Sequence, residues 1–349
     1  VEIVMGKDLF SNVQEFLNKN NKRSIYIITD ENVAKIHLKS LISFLSSFHV
    51  GVHVLEPSEK SKSLDVVEGI YGDLIENNYD RSTTILSLGG GVVGDISGFV
   101  ASTYLRGVDY IQIPTTLLAQ VDSSIGGKVG LDFGKYKNMI GSFYFPIANF
   151  IDVKLLNTLD KRELTSGLGE IIKYGIIKDY DFFKYVTTNI SKIYDCDENI
   201  LLNIVEKSVS IKSEVVNKDE RDKGIRRILN FGHTIGHGIE SLFGFNTYNH
   251  GEAVILGMMY ETYISKEIGL IDDEYFNEII NTLINLVPSK PNIETRDDSL
   301  SQIVDIISHD KKNVNGNIVF VLPVRQGEVE VFDDIDIELI KSSLKGDWL

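Results

Sequence analysis

The chain has 349 residues, 43% of them hydrophobic, with 50 acidic against 35 basic side chains, a net charge of −15 and one cysteine. That length supports two domains with a substantial core, and the negative balance argues against a nucleic-acid surface. Cys196 alone makes neither a disulfide framework nor a thiolate metal cage, which fits a reducing, cytoplasmic setting. The apolar runs are too short and too interrupted by glycine to span a bilayer, and no signal-peptide pattern is visible, so no membrane partner is expected. An anionic substrate would have to be drawn in by a local basic cluster against the overall field.

In chain order, Ser24–Thr29 is a β-branched run of strand length, Glu31–Ser47 reads as a helix, Val50–Leu55 as a strand and Ser63–Asn77 as a helix. Thr83–Leu88 is the next strand. It runs into Gly89-Gly90-Gly91-Val92-Val93-Gly94-Asp95 and a helix through Ser102, and Tyr110–Ile113 is a short strand ending at Pro114. Such alternation predicts a parallel sheet covered by helices on both faces, with ligands at the carboxyl ends of the strands. Pro114 to Gly130, dense in polar residues, reads as a site loop. Lys137–Gly141 reads as a further polar insertion before the apolar run Phe143–Ile151.

From about Leu159 the pattern turns helical: Arg162–Ile177, Glu198–Glu214, Ile228–Leu242, Gly251–Ile268, Asp273–Leu286 and Leu300–Ile307. Ile318–Leu322 and Glu328–Phe332 read as a hairpin joined by Pro323–Gly327, and Ile335–Leu344 as a closing helix. The chain is therefore expected to be an α/β, Rossmann-like parallel-sheet domain over residues 1–158, followed by a mostly α-helical domain over 159–349.

Three groups of residues carry chemistry. Gly89, Gly91 and Gly94 satisfy G-x-G-x-x-G between a strand and a helix, which suits backbone amides approaching a pyrophosphate, though tight turns produce similar strings. Asp95 behind them could contact a nucleotide or cap the helix, and Thr29-Asp30-Glu31-Asn32 could reach a ribose. His233 and His237, four apart, share a helix face, and His250 follows shortly. Two imidazoles and a carboxylate would make an open divalent-metal site, while buried histidines bonded into a helical core are the plainer alternative. No glutamate lies between the pair, so this is not the HExxH motif. Glu170, set in an apolar glycine-rich segment one turn from Lys173, is the best candidate for the carboxylate. Lys128, Lys137, Lys212, Arg226 and Lys311 or Lys312 could bind a substrate carrying phosphate and carboxylate.

Together, GGGVVGD, RGVDYIQIPTTLLAQVDSSIGGK, KNMIGSFY, ELTSGLGEIIKYG, RRILNFGHTIGHGIE and HGEAVILGM resemble 3-dehydroquinate synthase, in order and spacing, from about Thr29 to Pro323. The resemblance implies an NAD-dependent, zinc- or cobalt-dependent lyase of the shikimate pathway, acting on 3-deoxy-D-arabino-heptulosonate 7-phosphate, and a homodimer. It makes Glu170, His233 and His250 the metal ligands and moves His237 to the substrate side. For NAD the matching positions are Asp30, Asn32, Glu59, Lys62, Gly91, Val92, Val93, Gly94, Asp95, Thr115, Thr116, Lys128, Lys137, Leu155 and Thr158. For substrate they are Arg106, Asp122, Lys128, Asn138, Lys173, Lys212, Arg226, Asn230, His237 and Lys312 of the Lys311-Lys312 pair. Gly169 stands where the family usually has alanine, and Ser58-Glu59-Lys60 replaces its usual Gly-Glu-Gln turn. The family chemistry implies transient oxidation of one alcohol by NAD, loss of phosphate, return of the hydride and an intramolecular aldol closure.

Two related readings compete: a sugar phosphate cyclase of secondary metabolism whose substrate lacks the carboxylate, and a metal-dependent polyol dehydrogenase. The first would differ at several substrate positions that here keep the dehydroquinate pattern, and the second needs no phosphate pocket. A non-catalytic NAD-binding regulator would be expected to have lost a metal ligand, and none is lost.

Overall fold

The apolar strands of the first part have no face to give to solvent, and the structure, a computed structural model, buries both. It describes residues 1–134, 136–222, 224–244, 247–287, 299–309 and 317–349. The order begins β1 (Glu2–Gly6), α1 (Phe10–Lys19), β2 (Ser24–Asp30) and α2 (Glu31–Val33), then a π turn over Ala34–Leu38 leads into α3 (Lys39–Phe44). It continues with β3 (His49–Leu55), α4 (Leu64–Glu76), β4 (Thr84–Gly89), α5 (Gly91–Thr103), β5 (Tyr110–Pro114), β6 (Lys128–Phe133), β7 (Tyr136–Phe143) and β8 (Ala148–Asp152).

Six of these strands form one sheet in the order β1-β8-β5-β4-β2-β3, with every neighbouring pair parallel. Along β2, Tyr26 and Ile28 enter one buried cluster with Ile70, Ile96 and Val100, while Ile25 and Ile27 enter another with Leu17, Leu41 and Phe150. That alternation is the two-residue period of a strand covered on both faces. The chain passes from β2 to β3 on one side and returns to lay β4 on the other, with Thr29 opposite Leu88. The loops after β2 and β4 thus leave side by side at the point where strand order reverses, the usual ligand position of such sheets. The glycine turn follows the fourth strand for that reason.

Contacts divide the chain into one unit of Val1–Asp160 with Cys196–Val209 and a second of Lys161–Asp195 with Ser210–Leu349. The second unit contains α6 (Lys161–Lys178), α7 (Tyr180–Thr188) and α8 (Ile190–Tyr194); α9 (Glu198–Lys218) begins in the first unit and ends in the second. Then come α10 (His233–Phe243), α11 (His250–Glu267), α12 (Asp273–Ile284), α13 (Ser299–Ser308), the antiparallel hairpin β9 (Phe320–Arg325) with β10 (Glu328–Phe332), and α14 (Ile337–Lys345). Every residue of α6 from Leu164 to Ile177 is buried, so this helix is the axis around which the unit packs. Among the described residues no helix is long and apolar enough to cross a membrane.

The structure departs from the sequence reading in five places. β1 and α1 precede the first expected strand, and α7 and α8 fill a stretch left without elements. The polar segments around Lys128 and Lys137 are not loops: they pair as the antiparallel strands β6 and β7, with Gly130 facing Gly141. The helix expected over Ile228–Leu242 is two pieces, a 3-10 turn over Ile225–Asn230 and then α10, broken at Gly232, whose φ of +79° suits glycine. Pro323 lies inside β9 rather than in the turn.

Candidate functional site

At the end of β4, Gly90 occupies the N-cap of α5 without a side-chain cap. A Cβ there would come 3.0 Å from Thr116 Cγ2, and one at Gly91 would come 3.2 Å from Ser123 Oγ. Bare backbone thus lines a small cavity bordered by Gly89, Gly90, Gly91, Gly94, Pro114 and Ser123. Amides at the start of a helix, exposed by glycine, can hold an anion. Thr115 N–H donates to Gly89 O at 3.0 Å, and its buried Oγ1 has no hydrogen-bond partner, so a polar group beside this turn would find one. Thr116 Oγ1 accepts from Ala119 N, Val92 is half-buried beside the core, and Val93 is buried within it.

The neighbouring strand end is capped by Asp30, whose Oδ1 accepts from Asn32 N at 2.9 Å and Val33 N at 3.0 Å. Asn32 is exposed. His37 Nε2 lies 3.3 Å from Thr158 Oγ1, which donates to the carbonyl of buried Leu155 at 3.0 Å. Burial holds the His37 imidazole below its ordinary range, against the opposing pull of Asp152.

A second group of expected residues gathers on Lys62. Its buried Nζ donates to Asp95 Oδ2 at 2.7 Å and Asn138 Oδ1 at 2.6 Å, and lies 3.6 Å from Glu59 Oε1, which is also 3.6 Å from Lys137 Nζ. Asn138, at φ +51°, donates its N–H to Asp132 Oδ1 at 2.8 Å. Burial lowers the Lys62 pKa, but Asp95 and Glu59 outweigh it and the net direction is up. Burial raises that of Asp95, against the lowering by Lys62. Asp95 is therefore an ion-pair partner and not the cap of α5. Asp122 is half-buried in a π turn over Ala119–Ser123, Lys128 is exposed at the start of β6, and Arg106 is exposed with φ +69° after Leu105 at +49°. Two successive non-glycine residues in the left-handed region cost of order 1–3 kcal/mol each, strain of the kind found at binding sites.

In the second unit, α6 presents Glu170 and Lys173 from its buried face, 0% and 1% exposed, with Lys173 Nζ ion-paired to Glu170 Oε2. Oε1 faces two imidazoles, His233 Nε2 at 3.6 Å and His250 Nε2 at 4.0 Å. Each histidine is the first residue of its helix. The helices meet through glycine: a Cβ at Gly251 would fall 2.2 Å from Ser166 O on α6, and one at Gly257 would fall 1.9 Å from Gly232 O. Ligands held about 2.1 Å from a tetrahedral zinc stand roughly 3.4 Å apart, and the ligand atoms of Glu170, His233 and His250 all lie within 4.8 Å of one another, so this carboxylate and two imidazoles could hold one divalent ion after a contraction. Glu170 Oε1 is buried without a hydrogen-bond partner, as a waiting ligand would be, while Oε2 is held by Lys173. His237 lies behind His233, ring centroids 5.4 Å apart, and forms a second set of three possible ligands with Glu240 and His250. The two sets share His250.

Lys212 on α9 and Arg226 are buried, and Asn230 ends the 3-10 turn. Arg226 Nη1 donates to Glu220 O at 2.8 Å and its N–H to Asp219 Oδ2 at 3.2 Å. Lys311 and Lys312 lie outside the described residues. The sequence reading missed four supports. Arg162 grips Glu252 through two bonds of 2.8 and 2.7 Å, and Glu252 closes a capping box with Asn249, fixing the start of α11 at His250. Asn249-x-x-Glu252 was a legible signal for it. Glu240 Oε2 stands 3.7 Å from His250 Nδ1, as outer carboxylates of metal-bound histidines do. The others are Asp219 and Glu261.

The sequence matches the 3-dehydroquinate synthase N-terminal family over residues 52–166 and the 3-dehydroquinate synthase C-terminal family over 167–313. The chain belongs to the 3-dehydroquinate synthase family. It is 44% identical to the 3-dehydroquinate synthase of Alkaliphilus metalliredigens over 330 residues, 94% of this chain and 91% of that one. It is 44% identical to that of a Thermoanaerobacter species over 344 residues, 97% and 95%. Among solved structures, 2-epi-5-epi-valiolone synthase from Streptomyces hygroscopicus, with NAD+ and Zn2+ bound, is 25% identical at a TM-score of 0.86, covering 98% of this chain and 95% of that one. A 2-deoxy-scyllo-inosose synthase complexed with carbaglucose-6-phosphate, NAD+ and Co2+ is 24% identical at a TM-score of 0.88, covering 99% and 96%, and shares the fold.

Proposed function

We propose that this enzyme is a 3-dehydroquinate synthase, a phosphorus-oxygen lyase that converts 3-deoxy-D-arabino-heptulosonate 7-phosphate to 3-dehydroquinate and phosphate, with NAD and zinc or cobalt. The observation that carries it is the likeness to curated 3-dehydroquinate synthases at 44% identity across nearly the whole chain. When bound, NAD supplies a transient hydride acceptor, and the metal a Lewis acid that acidifies a substrate alcohol.

The chain's own residues then have assigned tasks. Glu170, His233 and His250 hold the metal, a three-ligand set that leaves a position for substrate. In the first unit the turn of Gly91, Val92, Val93, Gly94 and Asp95, with Thr115 and Thr116, receives the pyrophosphate. Asp30, Asn32, Glu59, Lys62, Lys128, Lys137, Leu155 and Thr158 complete the NAD site. By the family resemblance, Arg106, Asp122, Lys128, Asn138, Lys173, Lys212, Arg226, Asn230, His237 and Lys312 are the residues assigned to the substrate's phosphate, carboxylate and hydroxyls. Arg226 enters this role with its guanidinium already oriented by the Glu220 carbonyl and its backbone N–H held by Asp219, so less side-chain freedom is lost when an anion arrives. A cytoplasmic homodimer is part of the same reading.

The test is incubation with the heptulosonate phosphate, NAD and zinc, following phosphate and dehydroquinate together. Equal release of both without net NADH supports the proposal. Absence of turnover, or NADH that accumulates, overturns it, and turnover only with a sugar phosphate lacking the carboxylate would move the chain to the secondary-metabolism cyclases.

A further inference from the structure

We infer that Glu261 is a positioning residue for the metal centre, acting through the Phe231–Gly232 peptide bond. The inference rests on the zinc or cobalt site proposed above. Glu261 is 0% exposed on α11, and its carboxylate is spent on backbone of α10: Oε2 accepts from Gly232 N at 2.6 Å and Oε1 from Ile235 N at 3.1 Å. Gly232 is the N-cap of α10 and has no side chain to close the helix start. A carboxylate from another helix takes the part that an Asp or Ser cap plays elsewhere, at the end of the helix where negative charge is favoured.

The two amides it holds bracket His233. The Gly232 N–H also belongs to the same planar peptide as the Phe231 carbonyl. That carbonyl is 3.2 Å from His233 Nδ1. Gripping the N–H from one side fixes the direction of the carbonyl on the other, and Nδ1–H donating to it leaves Nε2 as the lone-pair nitrogen. Nε2 is the atom facing Glu170. Glu261 thereby sets both the place and the tautomer of one ligand, the task of an outer partner in metal sites, here relayed through one peptide unit. His250 lies eleven residues before Glu261, about three helical turns, so α11 presents a ligand and the support of another ligand on one face.

The experiment is competition of Zn2+ against a chromophoric chelator, with Co2+ absorption as a reporter of ligand geometry, on the wild type, Glu261→Gln and Glu261→Asp. Glutamine keeps the shape but turns an N–H donor toward an N–H donor; aspartate keeps the charge and withdraws it by one methylene. Zinc affinity is expected to fall about tenfold or more in the glutamine variant and less in the aspartate variant, with an altered Co2+ spectrum. Wild-type affinity and spectrum in a folded Glu261→Gln would overturn the role, even if melting drops. Should neither variant fold, hydrogen exchange on the metal-free wild type decides. Slow exchange at Gly232 and Ile235 supports a preformed clamp, and exchange as fast as in an uncapped first turn removes it. A wild type that binds no zinc sinks the metal reading itself, whereas tight wild-type binding with unchanged variants removes only Glu261.

Discussion

Gly257→Ala tests whether helix contact, rather than ligand identity alone, makes the metal site. The added Cβ would lie 1.9 Å from Gly232 O, 2.7 Å from Gly236 N and 2.9 Å from Gly232 C, all backbone atoms that no rotamer change can clear. A carbon-to-oxygen contact near 3.3 Å requires α10 and α11 to part by roughly 1.4 Å, or one of them to bend. Overpacking of this kind costs about 1–3 kcal/mol, here toward the upper end, against about 1 kcal/mol gained by alanine over glycine in a helix. A net loss of about 2 kcal/mol lowers the melting temperature by several degrees. The functional loss is larger, because ligand distances are tolerated only to about 0.2 Å and His233 moves with α10. Zinc affinity by chelator competition should fall more than tenfold. Gly72→Ala is the control: a Cβ there meets nothing within 4 Å, so it should stabilise slightly and leave zinc untouched. Wild-type zinc affinity in Gly257→Ala would refute the reasoning.

Three further outcomes are expected. His250→Ala should abolish stoichiometric zinc binding while the circular dichroism stays folded; full zinc occupancy by atomic absorption would contradict the ligand set. Lys173→Met leaves Glu170 buried without its cation and should cost about 3–5 kcal/mol in the metal-free protein, with much of that recovered on adding zinc, measured as melting temperature with and without metal; equal losses in both states would speak against a shared partner. For Lys62, burial pulls the ammonium down but the carboxylates raise it above its ordinary range. Its contribution is therefore fully present below the unfolded pKa and lost as pH rises through the higher folded one. Urea melts through the alkaline range should show that loss in the wild type and not in Lys62→Met.

The sheet was legible where strands are buried on both faces, because Ile25–Ile28 is an unbroken apolar run and Ile85–Leu88 is interrupted only by Ser87, with no rival period. β6 and β7 escaped because half their residues face away from the core and lysine, asparagine and glycine break the pattern. Packing, as at the Gly130–Gly141 pair, makes them strands. The start of α10 was misplaced since periodicity runs smoothly across Gly232, and only its left-handed backbone breaks the helix. The proposed metal set could not be chosen from spacing: His233 and His237 share a face, yet the imidazoles that face Glu170 Oε1 are those of His233 and His250, brought together by glycine contacts between helices. Glu261 was visible only as an acid in an apolar helix, and its partners lie about thirty positions earlier.

The Glu170–Lys173 pair has a consequence for how the enzyme comes to life. A carboxylate sealed inside α6 already has a resident cation, so the polypeptide can finish folding with no metal present, unlike small domains that remain unstructured until zinc arrives. Scarcity of the ion would then leave an intact but idle population that switches on when supply returns, with no new synthesis required.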